Sequence, residues 1–144
     1  MGSCASVAEL PSWARELLER SRVARLGLLD DTGGPRVLPV TYAIDAGALV
    51  TAIDHKPKRL EPERLARVRW LQARPMAALT VDHYEEDWSQ LAWVQALGQV
   101  AIIDAADAPD AVGVLTSRYP QYRVQPPAGP VLKLTPKRVL WWRA

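Results

Sequence analysis

The spacing of hydrophobic and polar positions changes period several times along the chain. Between Pro11 and Ser21, Trp13, Leu17 and Leu18 recur at helical spacing while Arg15, Glu16, Glu19 and Arg20 occupy the other faces. That spacing predicts an amphipathic helix, with Pro11 suited to its first turn, where a missing N–H costs nothing. Residues 23–29 are apolar apart from Arg25 and Gly27, too short a run for a second helix, and read as a strand. The stretch Asp30-Asp31-Thr32-Gly33-Gly34-Pro35 supplies dense turn chemistry. Residues 36–44 read as a second strand in which Pro39, unable to donate to a ladder, marks an edge or a bulge. Asp45-Ala46-Gly47 makes a short connection to a third strand over 48–53, so the three form an antiparallel meander.

Beyond residue 54 the pattern turns helical, with Leu65, Val68 and Leu71 or Gln72 in register, and Pro75 closes it. A fourth strand follows over 76–81, then a polar loop over 82–87, then a long strand over 88–103 bent or bulged at Gly98. Asp107 is expected to cap a helix that has Pro109 near its first turn and ends near Ser117. Residues 119–130, punctuated by Pro120, Pro126, Pro127 and Pro130, read as a loop, and 131–142 as a last strand interrupted near Pro136. Strands outnumber helices and hairpins dominate. The expectation is a mainly β, six-stranded antiparallel fold, a Greek-key or split barrel with peripheral helices, formed as a single domain over 1–144.

Composition narrows the function classes. The 144 residues are 49% hydrophobic and 24% charged, ordinary for a soluble globular chain. A net charge of +2 is too small to argue for nucleic acid, and no apolar run reaches transmembrane length. The first ten residues lack a basic segment followed by an apolar one, so no signal peptide is expected. The single cysteine, Cys4, is expected in a mobile N-terminus; it permits no intramolecular disulfide and suits the cytoplasm. No Cys/His spacing suggests a metal, and neither G-x-S-x-G nor a Walker-type loop is present.

Positive charge is concentrated after the third strand. Between 55 and 74 stand Lys56, Lys58, Arg59, Arg64, Arg67, Arg69 and Arg74, against Glu61 and Glu63. Such side chains give charge-assisted hydrogen bonds to phosphate, and the start of a helix adds backbone N–H groups. Lys58 and Arg59, at the end of a strand, favour the phosphate reading. Arg67, Arg69 and Arg74 favour a solvated helix face. Trp88 and Trp93 suit either stacking on a flat cofactor or a place in the core or an interface. Adjacent on a strand, Trp141 and Trp142 should face opposite sides. His55 and His83 read as loop histidines, and the run Glu85-Glu86-Asp87 as a solvated loop. Tyr119 and Tyr122 are candidates to hydrogen-bond a ligand, and no residue is assigned as a catalytic acid or base.

Several of these stretches together resemble one family. Gly33-Gly34-Pro35-Arg36-Val37-Leu38-Pro39-Val40-Thr41 is similar to the Gly-x-Pro-x-x-x-Pro-Val-Thr/Ser pattern of pyridoxamine 5'-phosphate oxidase-like (PPOX class) proteins. Leu49 to Arg59 followed by a helix, and then Ala73-Arg74-Pro75-Met76-Ala77-Ala78-Leu79, resemble that family's phosphate strand, helix and next strand. Asp82 to Ser89, Arg118-Tyr119-Pro120-Gln121-Tyr122, Pro126-Pro127 with Gly129-Pro130-Val131, and Trp141-Trp142 resemble actinobacterial members that use a deazaflavin. The resemblance runs from about Ala24 to Ala144, with extra residues around Leu60 to Arg64 relative to shorter members.

What the resemblance implies is a split barrel, a homodimer with two cofactor sites at the subunit interface, and an oxidoreductase. The implied cofactor is coenzyme F420, with FMN as the alternative; a non-catalytic flavin- or haem-binding barrel is a third reading. Reduced deazaflavin would give a hydride to a small unsaturated substrate. By position, Lys58 and Arg59, with Lys56 as neighbouring alternative, fall at the phosphate grip. Thr51, Ala52 and Ile53 fall beside the ring, Val40 and Thr41 on the neighbouring strand, and Trp88 where the second subunit reaches the ring.

Overall fold

Three backbone steps join the two ends of a seven-strand path, and that connection decides the architecture. A computed structural model describes residues 1–53 and 62–144 (backbone alone for 62–65). Its strands are β1 (Gly2–Cys4), β2 (Ala24–Leu29), β3 (Pro35–Val40), β4 (Ala43–Asp45), β5 (Ala48–Ala52), β6 (Met76–His83), β7 (Ala92–Ile103) and β8 (Val131–Arg143). They are ordered β3-β2-β6-β7-β8-β5-β4, with β1 added to β8, and every pairing is antiparallel. Laid flat, the outermost strands of that path would stand about 29 Å apart. Yet the chain runs from Val40, the last residue of β3, to Ala43, the first of β4, through Thr41 and Tyr42 alone, a reach of at most about 11 Å. The sheet must roll up. Its two edges meet at Thr41 and Tyr42.

The expected antiparallel split barrel with peripheral helices is therefore present, but with eight strands among the described residues instead of six. Two differences account for the count. The predicted strand over 36–44 divides at Thr41-Tyr42, because the chain there leaves one edge of the sheet and joins the other. The N-terminus, expected to be mobile, forms β1, whose Gly2, Ser3 and Cys4 face Trp141, Leu140 and Val139.

Strand β8 shows how one sequence serves two neighbours. Its side away from β7 pairs with β5 over residues 131–134 and with β1 over 139–141. Between these, Leu97 faces Arg138 while Gly98 faces Pro136, so Lys137 is an extra, bulged residue. A one-residue insertion exchanges the faces of everything after it. Accordingly the core side chains change parity from Leu132 and Leu134 to Val139 and Trp141. The irregularity predicted at Gly98 is found, but the inserted residue lies on the partner strand. Gly98 is required because a Cβ there would overlap the Thr135 carbonyl.

Among the described residues four helices flank the barrel: α1 (Ser12–Arg20), α2 (Pro62–Ala73), α3 (Pro109–Arg118) and α4 (Pro120–Val124). Helix α1 buries Ala14, Leu17 and Leu18 in the main core with Leu26, Leu28, Leu79, Val81, Val94 and Ala96 from the alternating inward positions of β2, β6 and β7. Helix α3 covers the other face of β5 and β8, where Val50, Ala52 and Val131 pack on Ala111 and Leu115. Strand β5 is thus buried on both faces, as its unbroken Ala-Leu-Val-Thr-Ala run allows. Each fully buried Leu or Val of these clusters contributes about 1.5–3 kcal/mol of burial.

Three boundaries differ from expectation. Asp107 closes a short 3-10 turn over Ala105–Asp107, and Ala108 is the N-cap of α3. The proline-rich stretch after Tyr119 contains α4, since Pro120 at a helix start costs no hydrogen bond. Residues 88–90, expected to open the long strand, form a 3-10 turn after Asp87, whose carboxylate accepts from the Ser89 N–H at 3.0 Å. No helix among the described residues is long and apolar enough to cross a membrane.

Candidate functional site

Where the barrel closes, the ladder on β5 runs out. Ala43 opposite Val50 is the last pair between β4 and β5. Beyond it, Ile53 N–H donates to the Pro130 carbonyl at 2.9 Å on the β8 side. Successive residues of an antiparallel strand turn their backbone groups to opposite edges. The N–H and C=O of Ala52 therefore point to the edge that β4 has already left.

A cleft of about 230 Å³ opens at that place, lined by Val23, Pro39, Val40, Thr41, Thr51, Ala52, Ile53 and Arg67. Five residues singled out from sequence, Val40, Thr41, Thr51, Ala52 and Ile53, are thus brought together. Thr51 shares the inward face of β5 with Leu49 and Ile53 and is 5% exposed. Gly129 lets the chain before β8 lie on this strand end, since a Cβ there would overlap the Ile53 carbonyl.

The remaining predicted residues fall elsewhere. Lys56, Lys58 and Arg59, and with them His55, lie outside the described residues. Trp88 stands on the 3-10 turn, 68% exposed, and does not line the cleft. His83 is hydrogen-bonded to Glu85 at 2.9 Å, in a polar depression with Glu16, Arg20 and Arg143. Glu85, Glu86 and Asp87 are exposed, as the sequence suggests. Among the described residues no group of His, Cys, Asp and Glu is placed to hold a metal ion.

Arg67 departs from the reading given to its helix. Expected on a solvated face, it is half-buried and brings positive charge into the cleft wall. Arg74 is no solvated cation either: it donates to the Asp30 carbonyl at 3.1 Å and so ties the end of α2 to the turn between β2 and β3. Arg69 alone of the three is exposed. A helical period cannot distinguish these cases, because which arginine meets the barrel depends on how α2 docks.

A second cavity, about 550 Å³, adjoins the first and shares Thr41 and Val23 with it. Its walls include Tyr119, Pro120, Tyr122, Pro126 and Pro127. The Thr41 and Tyr122 hydroxyls are hydrogen-bonded across the junction at 3.2 Å. The Tyr119 hydroxyl accepts from the Tyr42 N–H at 3.1 Å and lies 2.8 Å from the Tyr42 and Arg22 carbonyls, to either of which it can donate. Tyr42 donates its own hydroxyl to the Leu18 carbonyl, and burial pushes that phenol well above its ordinary value although the Arg118 charge acts against the shift. The Arg118 guanidinium lies 5.1 Å over the Tyr42 ring and bonds the Glu19 and Ser21 carbonyls. Sequence suggested Tyr119 and Tyr122 as ligand contacts. Tyr122 does line the cavity beside Thr41; the hydroxyl of Tyr119 is engaged in holding the barrel closure.

A family model described as pyridoxamine 5'-phosphate oxidase matches residues 10–143. Among curated proteins, none matches the sequence significantly. Solved structures with this fold include the protein Atu2129, of unknown function, from Agrobacterium tumefaciens, at 21% identity and a TM-score of 0.70. That match covers 90% of this chain but 55% of the Agrobacterium protein, so the chain spans about half of that relative's length. An F420 reductase aligns at 21% identity and a TM-score of 0.66, over 94% of this chain and 100% of the reductase. The haem storage protein HutZ from Vibrio cholerae aligns at 13% identity and a TM-score of 0.68, over 90% of each chain. At these identities the likeness is one of fold.

Proposed function

The chain belongs to the pyridoxamine 5'-phosphate oxidase family, and from that premise we propose that it is a deazaflavin-dependent oxidoreductase whose cofactor ring lies in the cleft at the barrel closure. The observation that carries this is the cleft itself. Apolar Val40 and Ile53 bound it, the edge of β5 at Ala52 turns a backbone donor and acceptor toward it, and Arg67 contributes a cation. A flat heteroaromatic ring with one polar edge and an anionic tail needs this set of groups.

In this reading Val40, Thr41, Thr51, Ala52 and Ile53 hold the ring. Lys58 and Arg59, with Lys56 as the alternative, come within seven residues of the end of β5 in the sequence and are assigned to hold the phosphate of the tail. Bound F420 supplies hydride transfer; the protein's part is to hold it, to orient a small unsaturated substrate and to keep water from the ring. No side chain is assigned as acid or base. In this proposal the chain forms a homodimer, as the family resemblance implies, in which a second chain completes the site. Exposed Trp88 is the residue we assign to that completion.

The deazaflavin is preferred for the residue patterns that resemble deazaflavin-using members. The fold neighbours include an F420 reductase and a haem storage protein and do not choose between cofactors, and the family description makes FMN the second reading. A haem-binding role draws no support from His83, which sits with Glu85 away from the cleft. The test is titration of the purified chain with F420 and, separately, with FMN, followed by quenching of tryptophan fluorescence. Micromolar binding of F420, weakened about tenfold or more when Lys58 and Arg59 are both changed to alanine, supports the proposal. Tight FMN binding and a yellow protein would select the second reading, and binding of neither would refute both.

A further inference from the structure

The larger cavity beside the cleft has a chemistry of its own. Its walls are mostly apolar: three prolines, the rings of Tyr119 and Tyr122, and Val23. These two rings meet edge to face, with centroids 5.8 Å apart. At about 550 Å³ the cavity falls within the range that holds small organic ligands. Among the described residues no acidic side chain lines it, and one cation, Arg22, does.

Arg22 is fixed as well as charged. Its Nη1 donates to the Arg118 carbonyl at 2.7 Å, and its guanidinium lies 5.7 Å from the centre of the Tyr119 ring. The other N–H groups of the guanidinium have no protein acceptor among the described residues. A guanidinium held in this way and exposed at a cavity rim matches a carboxylate in shape and charge.

We propose that this cavity is the substrate site and that it takes a flat, conjugated carboxylic acid, with the conjugated system against the proline and tyrosine walls and the carboxylate on Arg22. Its use as a substrate site rests on the proposed cofactor site, since Thr41 and Val23 line both spaces and place whatever fills one directly beside the other. The binding chemistry itself does not depend on that reading.

The experiment compares trans-cinnamate with its neutral analogue cinnamamide, each titrated into the full chain at low salt and read by ligand-observed NMR. The expected result is tighter binding of cinnamate, an approximately fivefold loss of that affinity in Arg22→Gln, and no change for cinnamamide. Arg22→Lys should retain part of the cinnamate preference, and Val23→Trp, which fills the space shared with the cleft, should weaken both probes. Equal affinity for the two probes, or a cinnamate affinity unchanged by Arg22→Gln, overturns the proposal. F420 and FMN titrations run in parallel separate the two claims. Cofactor binding without cinnamate binding removes the substrate site and leaves the cofactor site. Arg22-dependent cinnamate binding without any cofactor binding keeps the carboxylate site and removes the oxidoreductase reading.

Discussion

The Tyr119 hydroxyl is hydrogen-bonded to the backbone of Tyr42, receiving its N–H at 3.1 Å and lying 2.8 Å from its carbonyl. Tyr42 is one of the two residues that join the edges of the rolled sheet, where no strand partner serves its backbone. A side chain from the end of α3 thus takes the place of a missing strand. Tyr119→Phe leaves those backbone groups buried without their partner and should cost about 1–3 kcal/mol in urea unfolding. The same change should loosen the junction of the two cavities and weaken ligand binding. A variant as stable as the wild type would show that the closure does not depend on this contact.

Gly98 marks the bulge opposite Pro136. Because a Cβ would meet the Thr135 carbonyl, a backbone atom that cannot swing aside, Gly98→Ala should destabilise the protein by about 2 kcal/mol or more, measured as a lowered thermal midpoint. A Cβ at Gly113 would meet no atom of the described residues within 4 Å beyond its own helix backbone and chain neighbours, which makes the control: Gly113→Ala on α3 should be neutral or slightly stabilising.

Asp30 gives the turn between β2 and β3 an acid-sensitive anchor. Its carboxylate accepts from Thr32 Oγ1 at 2.7 Å and from the Gly34 N–H at 2.8 Å, and these bonds, that to the Thr32 side chain foremost, hold its pKa below the ordinary carboxylate value. The unfolded chain therefore takes up this proton first as pH falls. The stabilisation is complete above the ordinary carboxylate range and disappears as pH drops through the lowered folded value. Stability curves of wild type and Asp30→Asn should differ at neutral pH and converge in acid. A constant gap across that range would contradict the assignment.

A dimer that completes the cleft should bury Trp88, which is 68% exposed on the single chain. Sedimentation velocity should give twice the chain mass, and Trp88→Ala should reduce both dimerisation and cofactor affinity. A monomer that binds cofactor normally would remove Trp88 from the site.

How much of this was legible beforehand depended on whether a signal is local. The alternation of Ala77, Leu79 and Val81, the helical spacing of Trp13, Leu17 and Leu18, and the turn chemistry from Asp30 to Pro35 all act within a few residues, and each element formed where it was expected. The division of the second strand at Thr41-Tyr42 was not legible. Val40-Thr41-Tyr42-Ala43-Ile44 is good strand sequence throughout, and only closure of the barrel tells the chain to change edges. Arg67 and Arg69 differ by two positions on one helix, yet docking turned one into the cleft and left the other in water. Tyr119 and Tyr122 stood out as polar aromatics, but the clamp on Tyr42 spans 77 residues of sequence.

A crystal of the full chain soaked with F420 tests the central claim most directly. Electron density for the deazaflavin ring between Val40–Thr41 and Thr51–Ile53, with its polar edge against the Ala52 backbone, is the predicted result. Density for the ring anywhere else on the barrel would contradict the account.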